Sequence, residues 1–189
     1  MPVSKFKNIA YRARGLSNLG GIARMVLFAE SDFVAGWPIA ADIGLLGECT
    51  VLPRIVANTV PAEITFDLHT GRAKSSKKGV LGYQNYEHDI ECKFAGVDPA
   101  QLEAVQKFLN EGGVGIAYYK NGKRRIYGTS WNPLVIEDSD DSGAKADDQN
   151  AISFKAKGDG YPFPALFMQD DLIMPTDTAA AKPKPFAVV

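Results

Sequence analysis

Cysteine and histidine are almost missing from this chain of 189 residues, which has two of each. Cys49 and Cys92 lack the spacing of a paired-ligand metal motif, and two residues make no disulfide framework. Cys92 alternates with Ile90 and Phe94 as the inward residue of a strand does, so both thiols are expected reduced and in the core. His69 and His88 stand at the end and the start of strand-like runs without ligand-spaced neighbours, which favours surface or packing roles over a catalytic pair. Also missing are a G-x-S-x-G elbow, an H-E-x-x-H pair and the Gly-Lys-Ser/Thr ending of a phosphate loop. The glycines of LSNLGGI and EGGVGI do not substitute for that loop. The second group precedes a strand, whereas anion cradles open a helix. These patterns lead us to expect no enzyme, and no catalytic, cofactor-binding or metal residues.

Long hydrophobic runs are absent too, and the opening MPVSKFKNIAYRARG has basic residues without a following apolar stretch. No targeting signal, membrane anchor or membrane span is expected, and synthesis in the cytoplasm follows. Nor does charge of one sign dominate: the formal net charge is −1 and the pI is about 6.1, which disfavours a dedicated nucleic-acid binder. The distribution is uneven, however. Residues 1–79 carry ten Lys/Arg against six Asp/Glu, and residues 137–189 carry five against ten. Such asymmetry can complement a second copy of the chain or mark a nucleic-acid face.

What is present is an ordinary globular composition, 46% hydrophobic and 23% charged, enough for one domain with a real core. Residues 1–20 hold basic side chains and few bulky apolar ones, and read as an N-terminal arm ordered against a neighbour. Residues 21–174 read as a single β-rich domain, and 175–189, rich in Ala, Pro and Lys, as a flexible tail. IARMVLFAE (22–30) is apolar on both faces, as in a buried strand, and a Gly/Pro-rich stretch at 36–61 contains a short strand-like piece, Cys49 to Val56. EITFDLHT (63–70) alternates as a half-buried strand, and GRAKSSKKG (71–79) reads as a solvated loop or hairpin tip. HDIECKFAG (88–96) resumes the alternation. One helix is predicted after Asp98 and Pro99, with Leu102, Val105, Phe108 and Leu109 on one apolar face and an exit at Gly112 or Gly113. VGIAYYKNGKRRIYGTS (114–130) predicts a hairpin with a type I′ turn at Asn121-Gly122. LVIED (134–138) and AISFKAK (151–157) are two more strands around a polar stretch, SDDSGAKADDQN. About seven strands and one helix imply a mainly β (α+β) fold, an antiparallel sandwich or barrel with one flanking helix and long loops or hairpins.

Two constellations carry chemistry that can be read in more than one way. Asp138, Asp140, Ser142 and Gly143 mimic the opening of a calcium loop, but the twelfth position is Gln149 instead of a bidentate Glu. A solvated acidic loop is the favoured reading, able to form a repulsive lining or meet a basic partner. The clusters KSSKK and KRR, the latter beside Tyr118, Tyr119 and Tyr127, are able to contact phosphates and stack bases. The alternative, that the tyrosines pack while the charges keep an edge soluble, is preferred.

The order of elements from EITFDLHT onward, the hairpin GIAYYKNGKRRIYG, the strand and acidic loop before AISFKAKGDGYPFPALFM, and the opening GGIARMVLFAESDFVAGWP resemble the tail-tube proteins of bacteriophages and related injection systems. That resemblance implies a virion structural protein made in the bacterial cytoplasm. Its hexameric rings would stack into a tube in the tail, contact other tail proteins, and pass DNA without binding it specifically. It implies inter-subunit contacts at Phe6, Lys7, Arg12 and Arg14 of the arm, at Arg72, Lys74, Lys77 and Lys78, in the tail after Pro175, and at Asn121 and Gly122 for a sheet continuing between subunits. It also implies an acidic lumen or loop, for which Asp138, Asp140, Asp141, Asp147 and Asp148 are the candidates. The Pro-rich 36–61 region departs from that pattern. Alternatives are another virion ring (connector, terminator or baseplate), a small nucleic-acid-binding module, and a hydrolase or metal enzyme built on the histidines or the acidic loop.

Overall fold

The alternating and doubly apolar runs become strands wherever another strand is placed to pair with them. The computed structural model describes residues 20–67, 69–142 and 150–174. Within them lie strands β1 (Ile22–Ala29), β2 (Glu48–Cys49), β3 (Ala62–Ile64), β4 (Arg72–Lys78) and β5 (Asn85–Ala95), then helix α1 (Pro99–Gln106). Strands β6 (Gly112–Tyr119), β7 (Arg124–Tyr127), β8 (Leu134–Asp141), β9 (Ala151–Tyr161) and β10 (Leu166–Met168) follow.

β6 is the hinge of the architecture. One of its sides pairs with β1, while the other pairs with β7 along Gly115 to Tyr118 and with β8 at Gly112 and Gly113. Two layers result, β3-β1-β6-β7-β10-β2 and β8-β9-β5-β4, joined through β6. All pairings between strands are antiparallel except β10 with β2, which makes the sheet mixed. The fold is mainly β, in the α+β class, with one α-helix among the described residues.

β1 reads apolar on both faces because both are covered. Met25 and Leu27 face the second layer with Ile90, Cys92, Phe154 and Tyr161, while Val26 and Phe28 face Trp37, Cys49 and Ile126 on the other side. The cover on that side is the Gly/Pro-rich connection. Trp37 is fully buried, its indole N–H donates to the Val51 carbonyl at 3.0 Å, and its ring stacks on Phe33 at 6.1 Å. Asp42 and Arg54 clamp the same connection through two hydrogen bonds, of 2.5 and 2.8 Å. The Arg54 guanidinium, through those bonds, holds the Asp42 carboxyl below its ordinary pKa. Both cysteines are free and buried. Burial raises the pKa of both, that of Cys92 to about 12.

Several sequence expectations need correction. The segment 71–79 is not a loop: Arg72 to Lys78 form a full strand against β5. The strand expected at 63–70 stops at Ile64, because the chain then turns: Thr70 N–H and its hydroxyl both donate to the Asp67 carbonyl, and His69 takes a φ of 69°. The 139–150 stretch is strand as far as Asp141. α1 starts as expected, with Asp98 accepting from the Gln101 amide at 2.9 Å, but ends at Gln106, and Gly112 and Gly113 open β6. Of the four apolar positions expected on one face, Val105 and Phe108 turn to the core while Leu102 and Leu109 are exposed, and Phe108 and Leu109 lie beyond the end of α1. The β6–β7 hairpin is present but its turn differs. Gly122 N–H donates to the Tyr119 carbonyl and only Gly122 has positive φ, 82°, giving a three-residue loop ending in a left-handed glycine rather than type I′.

Candidate assembly surfaces

The layer β8-β9-β5-β4 has an inner face on the core and an outer face in solvent, and the strand period of two decides which residues go where. In β4, Ala73 and Ser75 turn inward opposite Ile90 and His88, so Arg72, Lys74, Ser76 and Lys78 turn outward. Registers across the layer then align Arg72, Glu91, Lys155 and Glu137 in one row, and Lys74, Asp89 and Lys157 in the next. Charge alternates strand by strand: basic, acidic, basic, acidic. Arg72 donates to Glu91 at 2.8 Å, Lys155 stands 4.0 Å from the same carboxylate, and Lys78 pairs with Glu87. The Lys78 ammonium holds Glu87 below its ordinary pKa.

The borders of this layer matter more than its face. β4 pairs only with β5, leaving a strand edge that carries Arg72, Lys74, Lys77 and Lys78 without a partner strand among the described residues. At the other border, β8 pairs with β6 only at Leu134 and Val135, so among the described residues Ile136 to Asp141 have no partner strand on that side and form a second open edge. That edge is acidic: Glu137, Asp138, Asp140 and Asp141. Asp138 and Asp140 share the inward parity of Phe154 and Ile152, yet are exposed, because β8 overhangs the core there. They are therefore neighbours on a strand, not successive ligands of a loop. Open edges template further strands, and here one chain offers two of opposite sign.

The other sequence candidates separate. Asn121 and Gly122 cap the β6–β7 hairpin, whose flanks are already taken by β1 and β10, so no sheet can continue from its sides. In the KRR cluster, Lys123 bonds Asp170, and Arg124 is buried on the carbonyls of Gln169, Asp170 and Leu172. Arg125 donates to the Ala165 carbonyl. Tyr118 and Tyr127 are buried beside them, and Tyr119 and Tyr127 bond each other through their hydroxyls. Phe6, Lys7, Arg12, Arg14, Asp147 and Asp148, with the arm at 1–19 and the tail at 175–189, lie outside the described residues.

The histidines part company. His69 is exposed, its Nδ1 3.4 Å from Lys120 Nζ. His88 is wholly buried, stacked on Tyr161 at 4.1 Å and edge-on to Tyr127, with Nδ1 accepting the Gly128 amide at 3.0 Å. Burial lowers its pKa to about 4, keeping the imidazole neutral and within the packing. The glycines of EGGVGI also have a packing reason: a side chain on Gly115 would place its Cβ 2.9 Å from Ile90 Cδ1.

Two features escaped the sequence reading. One is the β4–β5 turn, where Val80, Leu81 and Tyr83 stand out in solvent; the signal is the apolar run VLGY directly after Gly79, with Gly82 inside it. The other is a groove between α1 and β3, which no local pattern announces. No helix among the described residues is long and apolar enough to cross a membrane. The chain matches no family model, no curated protein and no solved structure.

Proposed function

We propose that this chain is a virion structural subunit that closes into rings with copies of itself, the rings stacking into a tail tube through which DNA passes. The observation that carries the reading is the pair of open, oppositely charged edges on one four-stranded layer. A basic edge meeting the acidic edge of the next copy is a heterologous, head-to-tail contact. Such contacts close into a ring when the rotation between copies closes. Main-chain hydrogen bonds would supply the attraction and the charges the direction, since like edges repel. The outer face of the same layer supports passage without binding, because alternating Lys and Glu rows offer phosphates no continuous run of cations. That balanced face differs from the acidic wall implied by resemblance, and the acidic candidates are read here as contact residues instead.

The nucleic-acid-module reading also loses support because Arg124 and Arg125 donate to main-chain carbonyls, Lys123 is paired with Asp170 at the surface, and Tyr118 and Tyr127 are buried. Electron microscopy of the purified chain is the test. Open-ended stacks of rings are expected; single closed rings would move the reading to a connector, terminator or baseplate component. A chain that stays monomeric at high concentration and moderate salt overturns it.

A further inference from the structure

The four-stranded layer is asymmetric along its strands as well as across them. At the end where β4 turns into β5, the loop carries Val80, Leu81 and Tyr83 at 71%, 92% and 82% exposure. Turns usually present Gly, Asn, Asp or Ser, so three bulky apolar side chains on one tip need a partner. The tip is well defined: Tyr83 N–H donates to the Val80 carbonyl at 2.9 Å, and Gly79 takes a φ of 94° where any Cβ would run into the Tyr83 carbonyl. At the opposite end, where β5 finishes at Ala95, α1 and β3 leave an open groove of about 520 Å³. Ile64, Phe94, Val105 and Phe108 line it, and Ala62 and Ala104 are exposed at its sides. Asp32, Glu111 and Glu63, the last paired with Arg24, also line it against the single lining cation Lys107, whereas the stem next to the tip bears Lys77 and Lys78 against Glu87.

We propose that this groove seats the Val80–Tyr83 tip of a second copy of the chain. The inference rests on the self-assembly reading and adds to it the contact along the strand axis. An apolar knob with Lys77 and Lys78 beside it meets an apolar seat among carboxylates, so shape class and the sign of the local charge match. Because knob and seat lie at opposite ends of the same strands, the contact repeats by translation and does not close. The β4 and β8 edges act sideways; tip and groove act end to end.

Cross-linking between two differently substituted full-length proteins tests this. Leu81→Cys and Ala104→Cys are prepared separately, both at exposed positions, while the native thiols are buried. Mixed under mild oxidation, they should give disulfide-linked dimers at least about tenfold above either protein alone, because a seated pair has a high effective concentration. Leu81→Asp should abolish stacks yet leave rings visible by electron microscopy. If stacks form but the mixture cross-links no more than its components, this contact is wrong and self-assembly stands. If Ala104→Cys links instead to Val188→Cys, the groove takes the chain's own C-terminal apolar segment and the proposal falls. A monomer under all conditions overturns both readings.

Discussion

His88 lies face to face with Tyr161 and accepts the Gly128 amide, so the neutral imidazole is the form that fits. Its folded pKa of about 4 is below the 6.5 of an unperturbed histidine. The unfolded chain therefore takes up the proton first as pH falls. The stability due to the neutral ring is fully present above pH 6.5 and is lost progressively toward pH 4, by up to about 3 kcal/mol. Urea midpoints measured across that window should fall steeply for the native chain and less for His88→Asn; parallel curves would assign the loss to another group. Asp42 is the second buried polar side chain with a defined duty. Replacing it by Asn removes a charge-assisted pair with Arg54, and since Arg54 is one-third exposed the expected cost is about 2 kcal/mol in denaturant unfolding. A smaller change than about 0.5 kcal/mol would mean that the clamp does not hold the Trp37 connection.

At the scale of elements, local chemistry explains starts better than stops. Asp98 and Gln101 form a reciprocal cap, with the Asp98 N–H donating to Gln101 Oε1 at 3.3 Å and the Gln101 amide returning to Asp98. Asp98→Ala should lower stability by about 1 kcal/mol, read as a drop in thermal midpoint. The helix stops early because its last turn gives way to tight turns through Asn110, at φ 57°, and the chain must enter β6. Gly122 is the other position where backbone conformation decides. Its φ of 82° makes Gly122→Val costly by about 1–2 kcal/mol. An unchanged melting temperature would show that the hairpin reshapes its turn freely. Trp37→Ala should cost more than either, about 3–5 kcal/mol, since it empties the centre of the second core.

For the whole molecule, the decisive property is that charge, scattered in sequence, is sorted onto edges. Reversing all four cations of the β4 edge, Arg72, Lys74, Lys77 and Lys78, to Glu should abolish assembly; reversing Glu137, Asp138, Asp140 and Asp141 to Lys in the same chain should restore it. Light scattering checks both, and restoration is the informative arm because simple damage to the surface is not rescued by further substitution. Raising salt should weaken the native assembly without unfolding the subunit, since the edge charges are exposed and screened. Assembly indifferent to both charge reversal and salt would leave the edges as solubilising borders of a monomeric fold.

The sequence by itself determined the buried β1, the alternating β5 and β9, the capped helix start, the β6–β7 hairpin and the mainly β class. Each rests on contacts within a few residues or on a period that one strand displays alone. It also separated an early basic from a late acidic half. Only the tertiary structure decided that Arg72 to Lys78 are an edge strand, since a run of Lys and Ser has no strand period until β5 lies beside it. The same holds for the acidic run, which becomes an edge because β9 pairs it and β6 leaves it after Val135. The groove is assembled from β1, β3, β5, α1 and β9, its lining running from Leu27 to Phe154, and no local pattern encodes a gap between surfaces. Likewise the Pro-rich connection gains meaning only as the cover of a core face. Pairing and burial are properties of neighbours in space, and those neighbours exist only once the chain has folded.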